Sequence, residues 1–205
     1  MARIGLLGGT FNPIHLGHLR LAEEAREQYR LERVWFIPNP SPPHRARGSV
    51  LAPAEERFRL VELAVESNPD FEVSRIELDH SGLAYTVETV ERLRSLHPEH
   101  TFHFLTGADS LLRNRWRELD RLLGMLGSFV AARRPGFDWS ELERHLDSLQ
   151  LKNRERIVRF DMPALEISAS DLRLRRREGR SIRYLVPEAV RLRILEAGLY
   201  SGLEE

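Results

Sequence analysis

Short apolar runs that break at glycine or proline and give way to helix-spaced patterns recur along nearly the whole chain, and this alternation limits the fold most. Residues 3–7 form a short, mostly apolar run into Gly8-Gly9; beyond Pro13, Leu16, Leu19, Leu21, Ala22 and Ala25 stand at helical spacing. Residues 34–37 read as a second strand. It ends in Pro38-Asn39-Pro40-Ser41-Pro42-Pro43, where missing amide donors and fixed φ angles prevent regular structure. Residues 54–65 form an amphipathic helix stopped near Asn68-Pro69, and 71–78 alternate like a strand through Phe71, Val73, Ile76 and Leu78. A helix from about residue 86 to 96 follows, then a strand over 101–105 that ends in the glycine turn Thr106-Gly107-Ala108-Asp109. Residues 129–132 and 157–160 are the remaining strands. Ser140 and Glu143 have capping-box spacing, and 187–197 is a helix with Pro187 in its first turn and Gly198 at its end.

Strands that alternate with helices in this way pair in parallel, with helices covering both faces of the sheet. The expected fold is therefore α/β, a Rossmann-like doubly wound parallel sheet in one domain over residues 1–205, with a small C-terminal helical segment. Ligands of such sheets sit beyond the carboxyl ends of the strands, so the turns after Leu7, Ile37, Leu105 and Phe160 are the places to look. Composition removes other classes. Lys plus Arg and Asp plus Glu are equal at 31 each, so no net basic field points to a nucleic-acid partner. With no cysteine, disulfides, thiolate metal sites and cysteine catalysis are excluded. No signal segment or membrane-length apolar run is visible, so a cytoplasmic protein without a membrane partner is expected. A homo-oligomer is compatible with the sequence.

The chemistry concentrates in residues 8–18. Gly8, Gly9 and Thr10 stand at a strand end, Phe11-Asn12-Pro13 follows, and His15 and His18 are three apart, on one face of a helix. Glycines let a backbone approach a ligand closely, and a helix start offers unpaired N–H groups to a phosphate. Imidazoles at that helix start can stabilise negative charge that develops during phosphoryl or nucleotidyl transfer. Neither the Gly-x-Gly-x-x-Gly dinucleotide fingerprint nor the phosphate loop ending in Gly-Lys-Ser/Thr is present.

This segment resembles the G-G-[ST]-F-[DN]-P-x-H-x-G-H signature of the nucleotidylyltransferase superfamily. Its second signature, I-S-S-T-x-I-R, is echoed by Ile167-Ser168-Ala169-Ser170-Asp171-Leu172-Arg173, with Ala169 in place of the usual Ser. Ser170 there suits either an N-cap or a phosphate contact, and Arg173 adds charge to a pyrophosphate site. Further segments are similar to the bacterial nicotinate-nucleotide adenylyltransferases: Pro42-Pro43-His44-Arg45, Ala84-Tyr85-Thr86, Gly107-Ala108-Asp109 with Trp116, Arg133-Arg134-Pro135-Gly136 and Tyr184-Leu185-Val186-Pro187. Arg45 replaces that family's usual Lys, which keeps the charge and changes the shape.

The resemblance implies transfer of AMP from ATP to nicotinate mononucleotide, with Mg²⁺ accompanying ATP and no all-protein metal site. It implies His15, His18, Arg45 and Arg173 as the catalytic set, and Gly8, Gly9, Thr10, Phe11, Gly107, Asp109, Arg134, Ile167, Ser168 and Ser170 around ATP. Tyr85, Thr86 and Trp116 would receive the nicotinate mononucleotide. Asp109 suits a ribose contact, support of the metal, or a helix cap. Sister enzymes acting on phosphopantetheine, or with CTP on a glycerol-type phosphate, share the first signature, and a non-catalytic adenine-nucleotide sensor could retain the fold.

Overall fold

The computed structural model describes residues 1–40, 51–79, 85–113, 116–133, 136–161 and 165–202. Among the described residues six strands and eight α-helices follow in chain order: β1 (Arg3–Gly9), α1 (Leu16–Gln28), β2 (Arg33–Pro38), α2 (Ala54–Val65), β3 (Phe71–Val73), α3 (Thr86–Leu96), β4 (Thr101–Gly107), α4 (Ala108–Arg113), α5 (Leu119–Met125), β5 (Ser128–Arg133), α6 (Trp139–Ser148), β6 (Ile157–Asp161), α7 (Ala169–Arg177) and α8 (Glu188–Glu196). The strands form one sheet in the order β3-β2-β1-β4-β5-β6. β1, β4, β5 and β6 pair in parallel, with Leu6 opposite Phe104 and Leu105 opposite Val130. This is the doubly wound Rossmann-like α/β fold expected. The order reverses between β1 and β4, whose carboxyl ends are Gly9 and Gly107.

The chain divides into two compact units. The first, residues 1–8, 21–35 and 84–164, carries most of the sheet. Its core is Leu6, Leu7, Phe102, Leu105, Phe129 and Val130, all at most 3% exposed. Each such side chain contributes roughly 1.5–3 kcal/mol through burial. β4 and β5 are buried along both faces, so their apolar runs are nearly continuous rather than alternating. The second unit, residues 9–20, 36–83 and 165–205, packs Phe36, Ile37, Leu60, Val61, Val190 and Ile194. There the Arg193 guanidinium on α8 meets Glu56 on α2 at 2.7 Å.

Several local expectations need correction. The strand over 71–78 stops at Val73. Ser74 N–H still reaches Phe36 O, but Asp79 N–H turns back to Arg75 O, and Arg75 is held by Glu55 at 2.8 Å. The alternation beyond Val73 thus belongs to a turn braced by an ion pair. No glycine turn follows β4, because α4 begins directly at Ala108. α6 is capped by Asp138, which accepts from Ser140 N–H at 2.8 Å, while Glu143 pairs with Arg154 and Arg159 instead of closing a capping box. Pro187 is the N-cap of α8, one residue before the helix. No helix among the described residues is long and apolar enough to cross a membrane.

Candidate functional site

The segment after β1 is shaped by one unusual backbone. Phe11 adopts φ 45°, a left-handed conformation that a bulky residue takes only under constraint, and the following Asn12–Pro13 peptide is cis. The Phe11 ring is buried, tilted on Phe36 with ring centres 6.0 Å apart and edge-on to His18 at 5.1 Å. Gly8 and Gly9 are not a turn; they are the last residues of β1. The reason for glycine at position 9 is room for that ring: a Cβ there would stand 3.1 Å from two Phe11 ring carbons.

His15 and His18 come together as expected. Their rings stack with centres 3.7 Å apart, and His15 N–H donates to His18 Nδ1 at 3.2 Å. With Nδ1 accepting, the neutral imidazole of His18 carries its proton on Nε2, which makes that atom a donor. His15 is buried and His18 half-buried. The helix start itself is less open than the sequence suggests, because Leu16 N–H already donates to Leu185 O at 3.1 Å. The Tyr184–Pro187 segment thus serves as a cap for α1.

Two arginines converge on the same few residues. Arg173, on α7, donates to Asn12 O at 2.7 Å and to Ser170 Oγ at 3.2 Å. Ser168, not Ser170, caps α7, its Oγ accepting from Asp171 N–H at 3.1 Å; Ser170 lies inside the first turn. Ala169 is the first helical residue, so its missing hydroxyl takes nothing from the cap. Ile167 immediately precedes this cap, its carbonyl 3.8 Å from where a Gly17 Cβ would be. The second arginine, Arg57 in the first turn of α2, escaped the sequence reading. It is fully buried and donates to Thr10 O, Asn39 O, Pro40 O and Ala52 O at 2.6–3.1 Å. Asn12 Oδ1 meanwhile accepts from Ala52 N–H. An arginine in an amphipathic helix looks like a solvated charge, and no sequence pattern marked this one as buried.

Burial draws the Arg57 and Arg173 guanidinium pKa values below their ordinary range. The Tyr200 hydroxyl, buried near the C-terminus, is pushed up by burial, with the charges of Arg57 and Arg173 pulling the other way. Many other arginines, among them Arg26, Arg75, Arg121, Arg154 and Arg193, hold carboxylates. Among the described residues Arg57 and Arg173 have no carboxylate partner, which leaves positive charge at the loop.

The remaining residues belong to the other unit. Gly107 ends β4 and Asp109 lies in the first turn of α4. Tyr85 is the N-cap of α3 with no side-chain cap bond, and Thr86 is the first helical residue. The Arg117 guanidinium lies 4.5 Å over the Tyr85 ring and pairs with Glu88 at 3.0 Å. Trp116 sits edge-on to Phe104 and Phe129, and its Nε1–H donates to Ser110 O at 3.1 Å. Arg45 and Arg134 lie outside the described residues.

A doubly wound sheet with a glycine-ended first strand, a stacked histidine pair and unneutralised arginines defines a nucleotidyltransferase of the cytidylyltransferase-like family, whose model matches residues 6–175. The particular branch follows from relatives along the full length. A probable nicotinate-nucleotide adenylyltransferase of Rubrobacter xylanophilus is 45% identical over 199 residues, spanning 97% of this chain and 92% of that protein. Another, from Moorella thermoacetica, is 44% identical over 200 residues, with 97% and 91% covered. The chain belongs to the nicotinate-nucleotide adenylyltransferase family. Among solved structures, nicotinic acid mononucleotide adenylyltransferase of Plasmodium falciparum, complexed with NaAD, matches with TM-score 0.78 at 19% identity over 98% of both chains. At that identity the match speaks for the fold.

Proposed function

We propose that this chain transfers AMP from ATP to nicotinate mononucleotide, releasing pyrophosphate and nicotinate adenine dinucleotide in NAD biosynthesis. The observation that carries this reading is the stacked His15–His18 pair, with His18 Nδ1 accepting from His15 N–H, in a chain whose full-length relatives carry that activity in their names. The acceptor phosphate oxygen attacks the α-phosphorus of ATP, the bond to the bridging oxygen breaks, and pyrophosphate leaves in line. The nucleophile is already an anion near neutral pH, so no strong base is required; the protein must align two anions and offset their repulsion.

In this scheme His18 donates to the α-phosphoryl oxygens as charge develops, and His15 orients His18 through the ring stack and the N–H bond. Thr10, the Phe11 N–H, Ser168, Ser170 and Arg173 receive the phosphates, with Gly8 and Gly9 giving the loop its path and Ile167 its neighbour on α7. Arg45 and Arg134 add charge, and Gly107 and Asp109 take the nucleoside part of ATP. Mg²⁺ would be held chiefly by the ATP phosphates and would offset their charge. The one cluster of three His or carboxylate side chains with close ligand atoms among the described residues, His97, Glu99 and His100, lies at the amino end of β4, so an ion held chiefly by phosphate and water fits the residues at the loop. For the acceptor, the start of α3 without a side-chain cap suits a carboxylate at Tyr85 and Thr86, and Trp116 offers a partly exposed aromatic face. The family match over residues 6–175 runs through segments of both compact units, which supports one catalytic domain.

Pyrophosphate release with ATP and Mg²⁺ tests the reading, with nicotinate mononucleotide, nicotinamide mononucleotide and phosphopantetheine offered in parallel. Strong turnover with nicotinate mononucleotide supports it. Turnover only with phosphopantetheine overturns the acceptor, and silence with all three overturns the reaction.

A further inference from the structure

Thr10 and Phe11 share one trans peptide, so the direction of the Thr10 carbonyl sets that of the Phe11 N–H on the opposite side. That carbonyl accepts from Arg57 Nη1 at 2.6 Å, the shortest of the four bonds this guanidinium makes. The Phe11 N–H makes no hydrogen bond among the described residues. A left-handed φ on a phenylalanine persists only when its surroundings over-determine it. Here the surroundings are a buried ring on one side and a buried guanidinium on the other.

The geometry points to Arg57 as a positioning residue for the phosphate loop: from beneath, it turns the Thr10–Phe11 peptide so that the Phe11 N–H stands ready as an anion donor. The inference rests on the phosphate role given above to the Phe11 N–H. Two features separate it from a plain structural bond. First, Arg57 joins the loop after β1 to the end of β2 and to the entrance of α2 through carbonyls alone, so three backbone segments share one rigid planar fork. Second, its charge meets no carboxylate among the described residues, and a polyphosphate arriving at the loop supplies the missing anion. A lysine keeps the charge but cannot span four carbonyls from a fixed plane, so charge and orientation can be separated by substitution.

The test has two parts. In steady-state kinetics, Arg57→Lys and Arg57→Gln are compared with the wild-type chain at matched folded fraction. Arg57→Lys is expected to lower kcat about tenfold or more and raise KM for ATP, with KM for nicotinate mononucleotide changed by less than about threefold. Arg57→Gln should weaken ATP further. A purely structural role would reduce the folded fraction and leave kcat and KM per folded molecule as in wild type, and that result overturns the inference.

The second part uses the wild-type chain alone and decides the matter if neither variant folds. Of nine phenylalanines, only Phe11 and Phe102 follow a threonine, so carbonyl-¹³C threonine with ¹⁵N phenylalanine selects two amides. Phe102 N–H is inside a buried strand and serves as the reference. Titration with pyrophosphate should move the Phe11 amide downfield and leave Phe102 in place; an unmoved Phe11 amide overturns the inference. A wild-type chain that turns over nicotinate mononucleotide without this shift keeps the function and loses the inference. A shift without turnover does the reverse.

Discussion

The loop at residues 10–18 and the Trp116 region are both built on the end of a buried strand, yet they are held in opposite ways. Around the loop the decisive bonds come from far along the chain: Arg173 to Asn12 across 161 residues, Arg57 to Thr10 across 47, and Leu185 to Leu16. Trp116 is held by its own neighbourhood, through Ser110 O and the rings of Phe104 and Phe129. A loop pinned through carbonyls by distant arginines gains a defined donor direction, whereas a tryptophan wedged into its own unit gains stability. Damage to the first should therefore appear mainly in chemistry, and damage to the second mainly in folding.

The largest effect should come from His18→Ala, which removes a transition-state donor and leaves no cavity in the main core. Its kcat should fall at least about a hundredfold, in the range seen when one oxyanion donor is lost, with the melting midpoint nearly unchanged. A folded variant with near-normal kcat would remove His18 from the chemistry and erase the contrast.

An effect of comparable size, on stability alone, is expected at His103. Its ring is 3% exposed and bonds Ser128 Oγ at 2.8 Å; burial, with the charge of Arg3 adding to it, pushes its pKa down to about 4 from 6.5. Between those values the unfolded chain binds a proton that the folded chain does not, so stability is full above about pH 6.5 and declines as pH falls toward 4. The loss attributable to this one group approaches about 3 kcal/mol. Denaturant titrations from pH 7 to pH 4.5 should show that slope in the wild-type chain and a flatter one in His103→Gln. Equal slopes would mean that His103 is not the group responsible.

The smallest effect belongs to Trp116→Phe, which keeps the ring contacts and deletes the bond to Ser110 O. A loss of about 1 kcal/mol in unfolding free energy is expected, with kcat unchanged. The KM for nicotinate mononucleotide sharpens the comparison: a rise beyond about threefold supports the acceptor contact proposed for Trp116, and an unchanged KM leaves it with its packing role alone.

The order of the strands was legible because most of them break at glycine or proline. The histidine pair was legible because its spacing is local. Gly9 has a second reason to be glycine that residue type alone does not show. Residue type suggests an approach point for a ligand, and the structure adds that it clears space for a phenylalanine two residues on. Ser170 suits a cap by residue type, and only the helix start at Ala169 gives that place to Ser168. Arg57 could not be found at all, since a cation on a helix is usually solvated and its four acceptors are backbone atoms, which carry no residue signature.

What the sequence determined by itself was therefore the periodic part: a parallel sheet with helices between its strands, a strand ending in glycines, and two imidazoles three residues apart. Tertiary structure decided which N–H groups are already spent, which ring nitrogen of His18 carries the proton, and which arginines go without a carboxylate. The physical reason is range. Periodicity and helix spacing depend on neighbours within a few residues, while hydrogen bonds to backbone carbonyls and the burial of charge depend on segments that meet only when the chain has folded.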